Sequence, residues 1–341
     1  MPPEILIIRL SAIGDILLTT PLVRALRVRH PRAGITFVTR PAFLPLLEHS
    51  PRLTRVVGWD PREGTRALAQ ALGGPEAIRR FTHRLDLQGN LRTRKLRWHL
   101  GGSWQTWPHH RVARSLLIRT KRNRYRDRRP VPERYFDAAA GLDVVPDGGT
   151  LEIFLSRPSI DAAEQFLRAC ARQVIAIAPG ASRRTKQWPV HHWIALARRM
   201  TEQGNDVLVI GGEMDRPAAD TIVAAIGTPA DPGSGRILSA AGMDLPSTAA
   251  LLRKCRGLVA GDTGQMHLAT AVGTPVVALF GPTVEAFGFF PYRAKSAVVQ
   301  LDLPCRPCSA HGSRACPLKH HRCLQDLQPD LVLEGLRKLP R

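Results

Sequence analysis

The sequence has few cysteines, no long apolar run and no leader-like N-terminus. Six cysteines in 341 residues are too few for a disulfide scaffold. No apolar stretch reaches the roughly 18 residues that a membrane-spanning helix needs. The N-terminus enters an apolar strand pattern without a basic region before it, so we expect no secretory signal. These absences predict a cytoplasmic protein.

Acidic residues are also scarce. The chain carries 28 Asp and Glu against 49 Lys and Arg, a formal net charge of +21. Seventeen basic residues but only three acidic ones lie between positions 79 and 134. Such an excess attracts polyanions, such as nucleic acid, an anionic membrane face or an acidic glycolipid. The alternative is an arginine-rich but merely solvated surface.

Several familiar motifs are missing. No Gly-rich dinucleotide fingerprint follows a strand pattern, which speaks against a nicotinamide-dependent oxidoreductase. No zinc-finger, RNP or helix-turn-helix signature is present, and Trp98, Trp104 and Trp107 form no recognisable stacking platform. A basic nucleic-acid-binding protein therefore stays only as an alternative, and we expect no nucleic-acid partner.

The pattern that is present alternates strands and helices. Buried strands are predicted at residues 4–10, 35–39, 55–58, 84–87, 173–178, 206–210, 257–260 and 275–280, and helices at 16–29, 189–201 and 263–272. A turn-rich stretch at 144–149 interrupts the series, which then restarts. The fold class predicted is α/β, with two Rossmann-like doubly wound domains at residues 1–150 and 151–325. A final helix is expected in 326–341.

The first motif is RLSAIGD, residues 9–15, at the end of the first predicted strand. Ligands gather beyond the carboxyl ends of the strands of an open α/β sheet. Gly14 permits a tight turn, and Asp15 falls in the first turn of the following helix. Asp15 is therefore a candidate functional carboxylate, or else a residue that only complements the helix dipole.

The second motif is PGASRRTKQWP, residues 179–189, where a strand runs into a small, basic loop before a helix. Backbone N–H groups, Ser182 and Lys186 together could bind a diphosphate. The alternative is an ordinary strand-to-helix connection with solvated basic residues.

The third motif is GDTGQMHLA, residues 261–269. A strand ends in a sharp turn, and Asp262 or Thr263 is predicted to cap a helix, which makes a second anion site at a helix N-terminus. The alternatives are capping alone for Asp262 and Thr263, and an interior histidine for His267.

Together the three motifs resemble the heptosyltransferase-type glycosyltransferases of family 9, over essentially the whole chain. That resemblance implies a GT-B architecture, with two facing Rossmann-like domains and a C-terminal helix that packs back towards the N-terminal domain. It also implies an inverting, metal-independent transferase, with ADP-heptose as donor and an acidic lipopolysaccharide-core-type acceptor. Other nucleotide sugars or glycan acceptors of the same family are the alternative.

The resemblance also assigns site residues. Asp15 takes the place of the catalytic base, and Lys186 that of the lysine that binds the donor diphosphate. Ser182 falls where small or hydroxyl residues meet the phosphates, Glu213 where an acid binds the ribose, and Met243 where adenine is contacted. The donor-binding turn and helix correspond to Asp262, Thr263, Gly264 and His267.

The acceptor is expected to meet basic and loop residues of the N-terminal domain, namely Ser11, Gly14, Arg111 and Arg114. Because such an acceptor is an anionic glycolipid, the enzyme is expected to contact the inner face of the cytoplasmic membrane peripherally.

Four cysteines cluster near the C-terminus, at positions 305, 308, 316 and 323. The Cys305-x2-Cys308 pair with Cys316 and Cys323 has the residue types of a closed structural zinc site. The alternative is a set of reduced thiols that pack a loop, since Cys316 and Cys323 lack the short spacing. Catalysis itself is expected to need no cofactor.

Overall fold

The computed structural model describes residues 1–228 and 231–340. The chain forms two compact units. The first comprises Met1–His109 and Arg129–Phe154, and the second comprises His110–Arg128 and the chain from Leu155 onwards. Each unit has its own parallel sheet, which confirms the predicted α/β class with two Rossmann-like folds.

The first sheet has five strands in the order β3-β2-β1-β4-β5, and all its pairs are parallel. The strand order reverses direction at β1, which makes the carboxyl end of β1 the topological switch point. The strands are β1 Glu4–Ile8, β2 Gly34–Thr39, β3 Arg55–Gly58, β4 His83–Asp86 and β5 Gln105–Thr106.

The second sheet has six strands in the order β11-β10-β9-β6-β7-β8, again all parallel. Counted from its own first strand, this is the doubly wound order 3-2-1-4-5-6 read from the other edge. The strands are β6 Val174–Ala178, β7 Asp206–Val209, β8 Ile237–Ser239, β9 Gly257–Gly261, β10 Val276–Leu279 and β11 Ser296–Val299.

Helices connect the strands and cover the sheets. Central strands such as β6 and β9 are buried along their whole length, as the near-continuous apolar runs predict. The helices are α1 Ile13–Leu17, α2 Thr20–Arg29, α3 Gly64–Ala71, α4 Gly74–Arg80, α5 Leu91–Leu100, α6 Arg111–Thr120, α7 Val131–Arg134, α8 Arg157–Leu167, α9 Val190–Glu202, α10 Arg216–Ile226, α11 Leu245–Lys254, α12 Gly264–Ala271, α13 Arg322–Gln325 and α14 Pro329–Lys338. Short 3-10 helices span Pro41–Leu46, Pro61–Glu63, Tyr135–Leu142, Arg184–Lys186, Glu213–Asp215 and Glu285–Phe287.

The single helix predicted at 16–29 is wrong, because the chain makes two helices there. The first ends at Leu17 and the second starts at Thr20. Pro21 lies in the first turn of the second helix, where its missing N–H costs nothing. The hydroxyls of Thr19 and Thr20 bond back to the carbonyls of Ile16 and Leu17 and so close off the first helix.

Residues 110–128 belong with the second unit although they lie in the first half of the chain. Leu117 of α6 and Tyr125 pack with Phe287 in one buried apolar cluster. The Lys121 ammonium donates to the carbonyl of Pro307 at 2.7 Å. These contacts join residues that lie about half of the sequence apart, so a single boundary along the chain cannot separate the two units.

The final helix α14 packs on α9 and on strands β9, β10 and β11 of the second sheet. The expectation that it also reaches back towards the N-terminal domain stays a prediction. Across the described residues, no helix has both the length and the apolar character to cross a membrane.

Candidate functional site

The switch point of the first sheet holds an ion pair. Arg9, just after β1, places Nη2 2.7 Å from Oδ1 of Asp15 in α1. The guanidinium is buried and also donates through Nη1 to the carbonyl of Leu87 at 2.6 Å. Burial alone would lower the pKa of Arg9, but the negative charge of Asp15, with Tyr135 and Asp86, raises it above its usual value. Arg9 is therefore a fixed cation that orients the Asp15 carboxylate.

A second set of contacts holds the loop between β1 and α1. Oε1 of Gln88 accepts from the backbone N–H groups of Leu10 and Ser11, at 3.0 and 3.3 Å. Asp86 in turn accepts from the N–H groups of Gln88 and Gly89. The carboxyl end of β4 thus positions the carboxyl end of β1, and the structure brings Ser11 and the buried Gly14 together with Asp15.

The second unit places an ion pair of its own at the carboxyl edge of its sheet. Lys186 Nζ lies 2.6 Å from Oδ2 of Asp262, which follows β9, and 3.1 Å from its carbonyl oxygen. The hydroxyl of Thr283, beyond β10, donates to the same carboxylate oxygen at 2.7 Å. The basic loop and the Gly-Asp-Thr turn, far apart in sequence, therefore meet in one hydrogen-bonded group.

The helix α12 begins at this group. Thr263 is its N-cap residue but makes no side-chain capping bond, so simple capping does not explain this threonine. Within the described part of the chain, the buried atoms Oγ1 of Thr263 and Oε1 of Gln265 have no hydrogen-bond partner. Gly264 opens the helix and His267 is buried within it. A helix N-terminus, whose first N–H groups have no partner within the helix, and unpartnered polar atoms are features expected of an anion site.

The remaining predicted donor residues follow other strands of the same sheet. Ser182 is exposed in the loop after β6. Glu213 follows β7 and is exposed, with Oε2 2.7 Å from Nε of Arg216. Met243 follows β8 and is half-buried. Because carboxyl ends of parallel strands share an edge, all of the predicted donor residues line one edge of the second sheet.

Arg111 and Arg114, predicted as acceptor residues of the N-terminal domain, lie on α6 and therefore in the second unit. Arg114 is half-buried, and burial lowers its pKa below the usual value although Tyr125 opposes that effect. The first unit holds Ser11 and Gly14, so the four predicted acceptor residues are divided between the units.

These features identify the family once the chain is compared with known proteins. The model of glycosyltransferase family 9 (heptosyltransferase) matches residues 65–319. The chain belongs to glycosyltransferase family 9. It is 26% identical to lipopolysaccharide heptosyltransferase 2 of Escherichia coli K12, with 98% of each chain covered. It is 28% identical to lipopolysaccharide heptosyltransferase 1 of Pseudomonas aeruginosa, over 99% of this chain and 95% of that one.

Solved structures of the family share the fold. A family 9 glycosyltransferase from Veillonella parvula matches with a TM-score of 0.76 and 22% identity, covering 98% of this chain and 96% of that one. The E. coli ADP-heptose lipopolysaccharide heptosyltransferase II matches with a TM-score of 0.70 and 24% identity, over 98% and 97% of the two chains. The resemblance predicted from the three motifs is confirmed at the level of family and fold.

The family 9 chain contains site residues that sequence reasoning missed. Arg9 and Gln88 hold the loop that carries Asp15, and Thr283 completes the Lys186–Asp262 group. Arg306 donates to the carbonyls of Gly281 and Thr283 and so holds the turn behind that hydroxyl. Arg9 belongs to the RLSAIGD motif, directly after β1, and Thr283 lies in the turn that follows β10. For Gln88 and Arg306 the sequence offers no signal beyond proximity to a strand or a proline.

None of the four clustered cysteines, all of them among the described residues, forms a disulfide bond. Burial, with the other thiols adding to it, raises the pKa of Cys308 and raises that of Cys323 to about 12. No three His, Cys, Asp or Glu side chains of residues 1–228 and 231–340 come together as a metal site. In this arrangement the thiols do not fit a closed zinc site, and the structural zinc stays a prediction.

Proposed function

We propose that this family 9 protein transfers heptose from ADP-heptose to an acidic acceptor of the lipopolysaccharide core type, with inversion and without a metal. The full-length relatives are lipopolysaccharide heptosyltransferases 2 and 1, and a solved neighbour is an ADP-heptose enzyme. These names support the proposed substrate class, and the geometry supports a role for each residue within it.

In this mechanism Asp15 is the general base. Inverting transfer needs one group that takes the proton from the acceptor hydroxyl as the sugar carbon is attacked. Asp15 keeps 28% of its side chain exposed, while Arg9 behind it is almost fully buried. The carboxylate is therefore oriented from within the protein and accessible from outside.

The leaving diphosphate is bound by the second unit. As the glycosidic bond breaks, negative charge grows on the diphosphate, and preorganised positive groups stabilise that charge most strongly. Lys186 and the N-terminus of α12 supply such groups at one place. Because a lysine and helix N–H groups supply the positive charge, the proposed step requires no divalent cation.

The acceptor in this proposal is anionic, and basic residues of the 79–134 region attract it. Much of that charge is concentrated in 111–129, which carries α6 and its following loop. Long-range attraction of this kind speeds encounter and lowers the apparent KM without base-specific or sugar-specific contacts. The attraction also favours a peripheral position at an anionic membrane face.

The observation that carries the proposal is the Lys186–Asp262–Thr283 group at the start of α12. The test is a thermal-shift series with ADP-, GDP-, UDP- and CDP-sugars, followed by turnover of ADP-heptose with a heptose-deficient core acceptor. We expect the largest shift with the ADP-sugar, product of inverted anomeric configuration by NMR, and turnover unchanged by EDTA. A larger shift with another nucleotide sugar would show that the donor carries that nucleotide and not ADP. A product with retained anomeric configuration would exclude Asp15 as the base of a single displacement.

A further inference from the structure

A basic cavity lies in the same unit, and Arg184 and Thr185 of the basic loop 179–189 form part of its wall. Its volume is 390 Å³, within the range of small-molecule sites. It lies between the short 3-10 helix Arg184–Lys186 and the cysteine-rich segment. The basic residues that line the cavity are Arg184, Arg314, Lys319, His320 and His321.

The charge in this cavity has one sign. Among the described residues, no Asp or Glu lines it, and Arg184, Arg314 and Lys319 form no ion pair with an acidic side chain. Other arginines of the same unit do have acidic partners, as in the pairs Arg157–Asp161 and Arg322–Asp326. Like charges brought together without counter-charges repel one another, so an anion in the cavity is stabilising.

The walls of the cavity are fixed by hydrogen bonds. The N–H of Thr185 donates to the carbonyl of Ser313 at 3.2 Å, and the N–H of Ser313 donates to the hydroxyl of Thr185 at 2.8 Å. Nε2 of His321 donates to the carbonyl of Thr185 at 3.0 Å. The loop and the cysteine-rich segment are thus tied to each other through Thr185, which reduces the entropy lost when a ligand binds.

The cavity is separate from the proposed donor site. Lys186, Asp262 and Thr283 do not line it. Gly312, at φ +82°, packs closely against the side chain of Lys186, so that an added Cβ would come 3.1 Å from Cγ of that lysine. This contact closes the space between the lysine and the cysteine-rich segment. The buried Thr185, next to Lys186 in sequence, lines the cavity itself.

We propose that this cavity is a phosphate-binding site distinct from the donor site. Two guanidinium groups can each bind phosphate oxygens in bidentate fashion, and an ammonium adds a point charge. The ligand is a phosphomonoester or diphosphate group, either free in solution or carried on a lipid. The inference depends on the cavity alone and holds whether or not the proposed sugar transfer is correct.

The test uses the full chain and inorganic pyrophosphate, measured by calorimetry at low salt. Arg314→Gln with Lys319→Gln should weaken binding at the cavity about tenfold or more, because two charge-assisted contacts are lost. Lys186→Ala should leave this component in place. The double variant should retain wild-type ADP affinity and thermal stability, since neither side chain is buried. The matched control, Arg168→Gln with Arg253→Gln, removes the same charge elsewhere on the unit.

Vesicle sedimentation separates the two sources of phosphate. Phosphatidylcholine vesicles with phosphatidic acid present phosphomonoesters, and plain phosphatidylcholine vesicles present none. Binding that requires both phosphatidic acid and the intact cavity indicates lipid-borne phosphate, whereas pyrophosphate binding alone indicates a free ligand. Equal weakening in the control variant, or unchanged affinity for both probes in the cavity variant, would overturn the proposal. If the cavity variant is destabilised, Arg314→Lys keeps the charge and should keep most of the binding.

Discussion

The two units build the same kind of ion pair at the same edge of their sheets, but with opposite polarity. In the first unit the cation is the more deeply buried partner, because the side chain of Arg9 is 8% exposed and that of Asp15 is 28% exposed. In the second unit the acid is more deeply buried: Asp262 is 9% exposed and Lys186 14%. The first unit therefore presents a carboxylate to its surroundings, whereas in the second unit both charges are largely buried and the ammonium is slightly the more exposed.

This reversal shows how one fold can serve two chemical roles. A doubly wound sheet places ligands at its switch point whatever the side chains are. The partner that is buried then decides which charge remains available. A presented carboxylate suits a base, and a presented ammonium next to a helix N-terminus suits a diphosphate.

The largest effect is expected from removing the presented carboxylate. Asp15→Asn keeps the size of the side chain but removes its proton-accepting capacity, so turnover should fall by at least about 100-fold. Donor affinity and thermal stability should stay near wild type. Asp60→Asn, a half-buried acid of the same unit paired with Arg62, serves as the control and should have little effect. Near-wild-type turnover of Asp15→Asn at saturating substrate would exclude the base assignment.

Next in size is the loss of the presented ammonium. Lys186→Ala should weaken ADP binding by about 1.5–3 kcal/mol, roughly ten- to a hundredfold, as expected for one charge-assisted contact. Calorimetry measures this directly. Lys254→Ala removes an exposed lysine paired with Glu164 and should leave ADP affinity unchanged. If the two variants bind ADP equally well, the polarity of the second unit has no part in donor binding.

A smaller effect is expected from the charged region of the second unit. Reversing Arg119, Arg122 and Arg124 to Glu should raise the acceptor KM about tenfold and the donor KM much less. The difference should shrink at high salt, because these side chains are exposed and screened. Reversal of Arg168, Arg253 and Arg337 gives the same change of charge elsewhere. Parallel changes in both KM values would show that residues 111–129 do not select the acceptor.

The contribution of Thr283 to the Lys186–Asp262 ion pair can be tested separately. Thr283→Val removes the hydroxyl that donates to Asp262 and leaves that carboxylate with Lys186 alone. The loss is about 1 kcal/mol, or roughly fivefold in ADP affinity, if the hydroxyl positions the pair. Thr221→Val, whose hydroxyl bonds a helix carbonyl on α10, is the control. An unchanged ADP affinity would mean that Lys186 needs no help from Thr283.

The predicted zinc should affect stability and leave donor binding intact. If the four thiols hold the predicted zinc, elemental analysis of protein purified without added metal gives about one zinc per chain, and a chelator lowers the Tm. Four sulfur ligands leave no open position, so ADP affinity should not change. Well under one metal per chain would show that the thiols of Cys305, Cys308, Cys316 and Cys323 only pack the loop.

Sequence reasoning predicted most of the fold because the buried strands carry strong signals. Runs such as residues 174–178 are apolar throughout, and their strands appear within one or two residues of the predicted ends. Strands β5, β8 and β11 were missed. β5 has two residues and β8 has three, which is too short to show a periodic pattern of apolar residues. β11 lies at the sheet edge, and its residues alternate between exposed and half-buried positions.

The sequence predicted only those residues of the site that lie just after the ends of strands. Motif positions brought Asp15, Lys186 and Asp262 to the right edges, because parallel topology fixes those edges. Gln88 and Arg306 form hydrogen bonds with residues that are distant in sequence, and neither of them belongs to a periodic pattern. The placement of α6 in the second unit depends on Tyr125 meeting Phe287, a pairing that no local signal encodes.

That pairing has a consequence for the order of events at the ribosome. Domains generally fold as units, with the N-terminal one first during synthesis. Residues 110–128 leave the ribosome with the first half of the chain, but Phe287 emerges only after β10 has been made. Until then Leu117 and Tyr125 have no apolar surface from the second unit to pack on. The segment itself carries eight Lys and Arg residues against one Asp, and such an excess of like charge favours its hydration until Phe287 has been made.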